Sequence, residues 1–209
     1  MFANMRFGGP ELVGFIVAIS FAAGLNVYAT VASLGLLAHA GWVDLPAGLH
    51  LLSSWWVIAA AGTLFAIEFF ADKVPSFDLV WNALHTFIRV PVAGLLAYQA
   101  TSQLSPGMQL LATLVGAAVA LAAHGGKTAV RAAVTPSPEP LSNTTLSLGE
   151  DGLAVFLTWF ATRHPYWAAA LVAVFVVTAI LLARQALRAL SALFGQAKSG
   201  RALPSERSE

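Results

Sequence analysis

Between Glu11 and Asp44 the chain has no Asp, Glu, Lys or Arg, and "LVGFIVAISFAAGLNVYATVASLGLLAHAGWV" is mostly apolar throughout. About 20 apolar residues in a helix cross a hydrocarbon core of about 30 Å, and an uncharged run this long reads as a membrane span. The rest of the chain agrees. Hydrophobic residues make up 58% of the sequence and charged residues 10%, with a mean hydropathy of +0.75. Soluble domains carry about a quarter charged residues. The expected fold class is therefore all-α, a polytopic helical membrane protein. The net charge of +1 says little about partners, but no basic block points to nucleic acid and none is expected; the absence of cysteine excludes disulfides, thiolate metal sites and thiol catalysis.

Apolar stretches at 11–40, 55–71, 91–104, 108–123, 151–162 and 165–190 give about six membrane segments. The first continues past Val31 without a polar break, which distinguishes it from the short apolar core of a cleavable signal peptide. Segments 91–104 and 151–162 are short for a crossing. They read as half-spanning helices, re-entrant pieces, or helices extended by flanking polar residues. If all six cross, ten of the eleven Lys and Arg residues fall on one side, Arg163 being the exception. The positive-inside rule then places both termini in the cytoplasm. Trp42, Trp55, Trp56 and Trp167 would form an interfacial belt. Residues 1–194 form the helical domain, and the polar stretch 195–209 reads as a disordered cytoplasmic tail.

Nearly half of the scarce charge is gathered in two places. In "IEFFADKVPSFDLVWNALHTFIR", Glu68 and Asp72 share a helix face at the end of the second segment, followed by Lys73. An acid at membrane depth is protonated, paired or wet, and marks an ion or proton site by default. Pro75 closes that helix. Asp78, Asn82, His85 and Arg89 then recur at intervals of four, three and four, giving one face of an amphipathic helix. Such a helix either lies in the interface with this face in water or folds the polar stripe inward to meet Glu68 and Asp72. The second stretch, "HGGKTAVRAAVTPSPEPLSNTTLSLGED", places His124, Lys127 and Arg131 on one face. Lys127 and Arg131 would neutralise Glu68 and Asp72 or receive an anionic lipid or solute. Pro136, Pro138 and Pro140 stiffen a loop, and Glu150 and Asp151 are expected to open the next helix.

In "SFAAGLNVYAT", Asn26 puts an amide at membrane depth beside Gly24. It serves either as an interhelical hydrogen bond or as the break in a discontinuous helix whose freed backbone groups line a substrate site. A shift of 54 residues lays Gly62 on Gly116 and Lys73 on Lys127, a weak internal repeat with a pseudo-two-fold axis along the membrane normal. No nucleophile elbow, phosphate loop, dinucleotide fingerprint or H-E-x-x-H motif is present, and no cofactor is expected.

"GLNVYATVASLGLLAHAGWVDLP", "EFFADKVPSFDLVWNALHTFIR" and "HGGKTAVRAAVTPSPEPLSNTTLSLGED" resemble a small bacterial membrane family catalogued as domain of unknown function 4126. The resemblance covers nearly all of the chain before the tail. It is carried most specifically by Asp72, Lys73, Pro75, Asp78, Trp81, His85 and Arg89, and departs from the family pattern at Asn82 and at Val90-Pro91. It implies an integral protein of the bacterial inner membrane, with no catalytic residue to carry over.

The leading functional expectation is a small transporter or channel for an ion or small polar solute. Glu68, Asp72, Asp78 and Asn26 would bind it, and Lys73, His85, Arg89, Lys127 and Arg131 would gate or supply counter-charge. The alternatives are a protein handling lipid headgroups or polyprenyl phosphates at the basic rim, and a non-catalytic assembly subunit. Membrane lipid is a partner in each. The small-residue runs "AAGTLFA" and "GAAVALAA" suit a homo-oligomer.

Overall fold

Four prolines set the rhythm of the fold. Pro75, Pro106, Pro140 and Pro165 each begin a long helix, the position at which proline's missing N–H costs no hydrogen bond. The computed structural model describes residues 7–71, 75–134 and 140–199. Among them are seven α-helices, one 3-10 helix and no strand: α1 Gly9–Leu25, α2 Val27–His39, the 3-10 helix Ala47–Ser53, α3 Trp55–Ala71, α4 Pro75–Ala100, α5 Pro106–Val134, α6 Pro140–Arg163 and α7 Pro165–Ser199. The all-α expectation holds. Helix α7 runs to Ser199, beyond the boundary expected at 194.

The stretch 11–40 is not one crossing. Helix α1 ends at Leu25, Asn26 is extended at φ −149° and ψ 105°, and α2 starts at Val27. The chain reverses there. Phe7, Gly9 and Leu12 at the start of α1 line the same cleft as Asp44 to His50, which follow α2, and as Ala100 to Leu104 at the end of α4. We call this the upper end. Gly35, late in α2, lies against Leu52 and Ile58, and Gly14 of α1 lies against the Pro165 carbonyl. The two helices thus make a hairpin that enters and leaves at the upper end and turns at Asn26.

Helix α1 is the axis of the bundle. From Gly14 to Leu25 all but Val17 are buried, as expected of a helix apolar on every side, and α2, α4, α5, α6 and α7 pack around it. Gly24 lets α1 and α5 approach closely: an added Cβ would stand 2.4 Å from the Ala120 carbonyl oxygen. Gly116 of α5 likewise admits Ala97 and Ser20. Its expected repeat mate, Gly62, has nothing within 4 Å of where a Cβ would be, so the two glycines are not packed alike.

The short apolar segments are absorbed into longer helices. Segment 91–104 lies mostly in α4, which runs through Pro91, and 151–162 lies in α6. Both are extended by polar flanks. Glu150 and Asp151 therefore sit mid-helix, not at a helix start, because Pro140 opens α6 ten residues earlier. The polar flanks also lower mean hydropathy. Among the described residues, Pro106–Val130 alone is long and apolar enough to cross a membrane unaided. The 3-10 helix and α3 pass together with a 68° bend, and Gly9–Leu25, Val27–His39 and Pro165–Leu181 are apolar but shorter.

Candidate functional site: a buried charge network around a helix reversal

The reversal at Asn26 leaves helix-end groups inside the bundle, and the chain supplies partners for them from two other helices, α5 and α6. Asn26 is fully buried. Its backbone N–H closes α1 on the Ala22 carbonyl at 2.9 Å. Its side-chain Oδ1 accepts from the Ala29 N–H at 2.9 Å, capping α2. Its carbonyl accepts from the Thr30 hydroxyl at 2.9 Å. The remaining group, Nδ2, donates to Asp151 Oδ1 of α6 at 2.8 Å. On the other side of the reversal, Lys127 Nζ of α5 donates to the Leu25 carbonyl at 3.3 Å and to Glu150 Oε2 at 2.9 Å. The charges match the helix ends: the ammonium meets the negative C-terminus of α1, and the Asp151 carboxylate lies by the positive N-terminus of α2.

A second group joins α3, α4 and α5. Glu68 and Arg89, both fully buried, form an ion pair between Oε1 and Nη2. Arg89 Nη1 lies 3.0 Å from His124 Nδ1. A guanidinium only donates, so this contact assigns the lone pair to Nδ1 and the proton to Nε2. His124 is thus neutral, and Nε2 donates to the Thr86 hydroxyl at 2.7 Å. His85 is also buried, and its ring meets Tyr28 edge-on at a centroid distance of 5.7 Å. The Tyr28 hydroxyl is 3.4 Å from His85 Nε2, a long contact. The polar stripe of α4 therefore turns inward at His85 and Arg89, while Leu84, Phe87 and Ile88 are exposed.

Among the described residues, two buried polar atoms of this group have no hydrogen-bond partner, Glu68 Oε2 and Arg89 Nε. An unsatisfied buried polar group costs about 1–3 kcal/mol, and more when charged. Glu68 Oε2 is acceptor-only when ionised and is suited to a proton, a water or a cation. No group of metal-binding side chains occurs among the described residues.

Of the residues picked out by sequence, Asn26, Glu68, His85, Arg89 and Lys127 all lie in these two groups. The counter-charge of Glu68 is Arg89, not Lys127, whose carboxylate partner is Glu150. Asp72 and Lys73 lie outside the described residues, as do the side chains of Asp78 and Arg131. Asp151 was legible only as a helix-start charge, and its role at the reversal depends on the register of α6 against α1.

Helical reversal, close packing on glycine and an internal charge network define an all-helical bundle built around a buried polar centre. The chain belongs to the family described as a domain of unknown function (DUF4126), whose model matches residues 13–185. No curated protein and no solved structure matches it.

Proposed function

We propose that this chain is a multi-pass membrane protein that moves a proton, small cation or small polar solute past the Glu68–Arg89 pair and the Asn26 reversal. Its inside-out arrangement supports the membrane reading. Exposed positions include Leu64, Ile67, Phe70, Phe87, Leu95, Leu110, Leu111, Leu114, Leu121, Val174 and Leu181, whereas Glu68, Arg89, His124, Lys127 and Asp151 are buried. In the apolar window of α5 only 17% of residues are buried, the opposite of a soluble core helix. Trp42, Trp55, Trp56 and Trp167, all exposed, gather at the upper end, as an interfacial belt does. In this reading α3 to α7 cross the bilayer, and the α1–α2 hairpin is re-entrant from the upper side. Irregular backbone at depth is tolerated where protein surrounds it, as it surrounds Asn26.

The observation that carries the transport reading is the unpartnered Glu68 Oε2 beside a discontinuous helix. Half-helix ends and open carboxylates bind substrate and coupling ion in transporters. The lower end, where α3, α5 and α7 finish, is cytoplasmic by the charge rule, with Arg184 and Arg188 near the end of α7. The test is proton or cation entry into proteoliposomes with a lumenal indicator and an imposed diffusion potential. We expect flux from the wild-type protein and none from empty liposomes, with cysteines at positions 26 and 68 labelled from the aqueous phase. Sealed liposomes and full protection of both positions would overturn the reading.

A further inference from the structure

Helix α2 packs on both α3 and α6 and holds them apart. Between α3 and α6 lies a crevice of about 550 Å³, within the about 300–1,000 Å³ range of small-molecule sites. Phe65 and Phe69 of α3 form one wall, and Phe156 and Trp159 of α6 form the other. The rings are partly exposed toward the opening, Phe156 and Trp159 at 43% and 41%. Asp151, only 6% exposed, lies in the lining. No basic side chain is among its described lining residues.

The crevice on the other side of α6 differs. It is about 350 Å³, lies between α1, α5, α6 and α7, and holds both Lys127 and Glu150, so its charges balance. Glu150 there also has aromatic neighbours, Phe21 and Phe175, but shares the lining with Lys127, whereas the α3–α6 crevice sets an acid between two aromatic walls with no basic side chain among its described lining residues. Ring faces attract cations, most strongly when the site is desolvated, and a carboxylate adds the opposite charge. At about 1.5 Å per residue α6 is about 36 Å long, with Asp151 near its midpoint. In a bilayer the crevice would open sideways into the hydrocarbon. Its occupant must therefore be cationic and apolar at once.

We infer that the α3–α6 crevice binds a hydrophobic organic cation, an ammonium or phosphonium with an apolar body, with its charge toward Asp151 and its body between the Phe65–Phe69 and Phe156–Trp159 walls. This names a substrate class and rests on the membrane transport reading. Because Asp151 also holds Asn26, an occupant would press on the helix reversal through the same carboxylate.

The test uses the full chain in lipid nanodiscs, with heat of binding measured for tetraphenylphosphonium and for tetraphenylborate, an anion of the same shape. Empty nanodiscs correct for partition. Tetraphenylphosphonium should bind at least about tenfold more tightly than the borate, the margin a carboxylate supplies. Asp151→Asn should lower its affinity by about tenfold or more. Asp151→Asn can also disturb folding, so Gly152→Leu is the second variant. Gly152 lines the crevice, and an added Cβ there meets nothing within 4 Å. Leucine at 152 should crowd the crevice beside Asp151 and weaken binding by about tenfold or more without lowering the melting temperature. Equal affinity for both ions, or unchanged binding by a folded Gly152→Leu protein, would overturn the inference. Binding needs no turnover, so the two readings fail separately. Phosphonium binding without ion flux leaves this site standing, and Glu68-dependent flux without phosphonium binding removes it.

Discussion

Asn26 Nδ2 donates to Asp151 Oδ1 at 2.8 Å, so the one extended residue between α1 and α2 is held by the middle of α6. The same side chain caps α2 through Oδ1. A single amide thus fixes both the start of a helix and its depth in the bundle. Asparagine suits this double role because its side chain accepts at one atom and donates at the other.

Substitution at 26 should separate the two roles. Asn26→Ala removes the cap and leaves Asp151 short of a donor, and should cost about 1–3 kcal/mol. Asn26→Ser keeps a capping oxygen and should cost less. Asn26→Asp also keeps the cap but sets a second carboxylate against Asp151, so it should be the least stable of the three. Melting temperatures in detergent read the order. An Ala variant as stable as wild type would mean that the reversal is held by packing alone.

How much of this was legible in the sequence follows from what each feature depends on. Helix content and the inward polar residues follow from local pattern: Asn26, Glu68, His85, Arg89 and Lys127 stand out because they interrupt apolar runs. The reversal was not legible. Hydropathy is blind to direction, and 11–40 reads as one span whether the backbone at Asn26 is helical or extended. Pairing was not legible either. Lys127 and Arg89 both suit Glu68 by charge, and only the placement of α4 and α5 against α3 selects Arg89. Glu150 and Asp151 were misplaced because a run of Ser, Thr and Asn from 142 to 147 reads as loop, yet it continues α6.

The Glu68–Arg89 pair should behave as a buried ion pair. Removing one partner leaves the other uncompensated, which costs about 3–5 kcal/mol. Glu68→Gln and Arg89→Gln should therefore each lower stability sharply, while the double variant should lose clearly less than the sum of the singles. A double-mutant cycle on thermal or denaturant unfolding measures the coupling. Additive losses would mean that the two charges are stabilised independently, each by water or by other groups.

Close packing of α1 on α5 makes a prediction with its own control. In Gly24→Ala the new methyl would stand 2.4 Å from the Ala120 carbonyl oxygen and 2.7 Å from the Ala123 Cβ. The helices must separate, which costs about 1–3 kcal/mol and also shifts the Leu25 carbonyl that receives Lys127. Gly62→Ala meets nothing within 4 Å and should be neutral or stabilising by up to about 1 kcal/mol through helix propensity. Equal melting temperatures for the two variants would show that the α1–α5 contact yields without cost.

The helical hairpin has a consequence for topology that a single crossing lacks. Gly9, Trp42 and Gly107 lie at the upper end and are exposed, while Arg184 lies late in α7 and is exposed as well. The chain has no cysteine, so single cysteines at these positions report without background. In sealed vesicles of one orientation, a membrane-impermeant thiol reagent should label 9, 42 and 107 from the same side, and 184 from the other. A single crossing through 11–40 predicts instead that 9 labels with 184, because one span separates it from 42. The position of residue 9 therefore decides whether α1 and α2 form a re-entrant pair in the membrane. Labelling of 9 together with 184 would remove the re-entrant hairpin, and with it the helix ends at Asn26 as part of a path reached from the upper side.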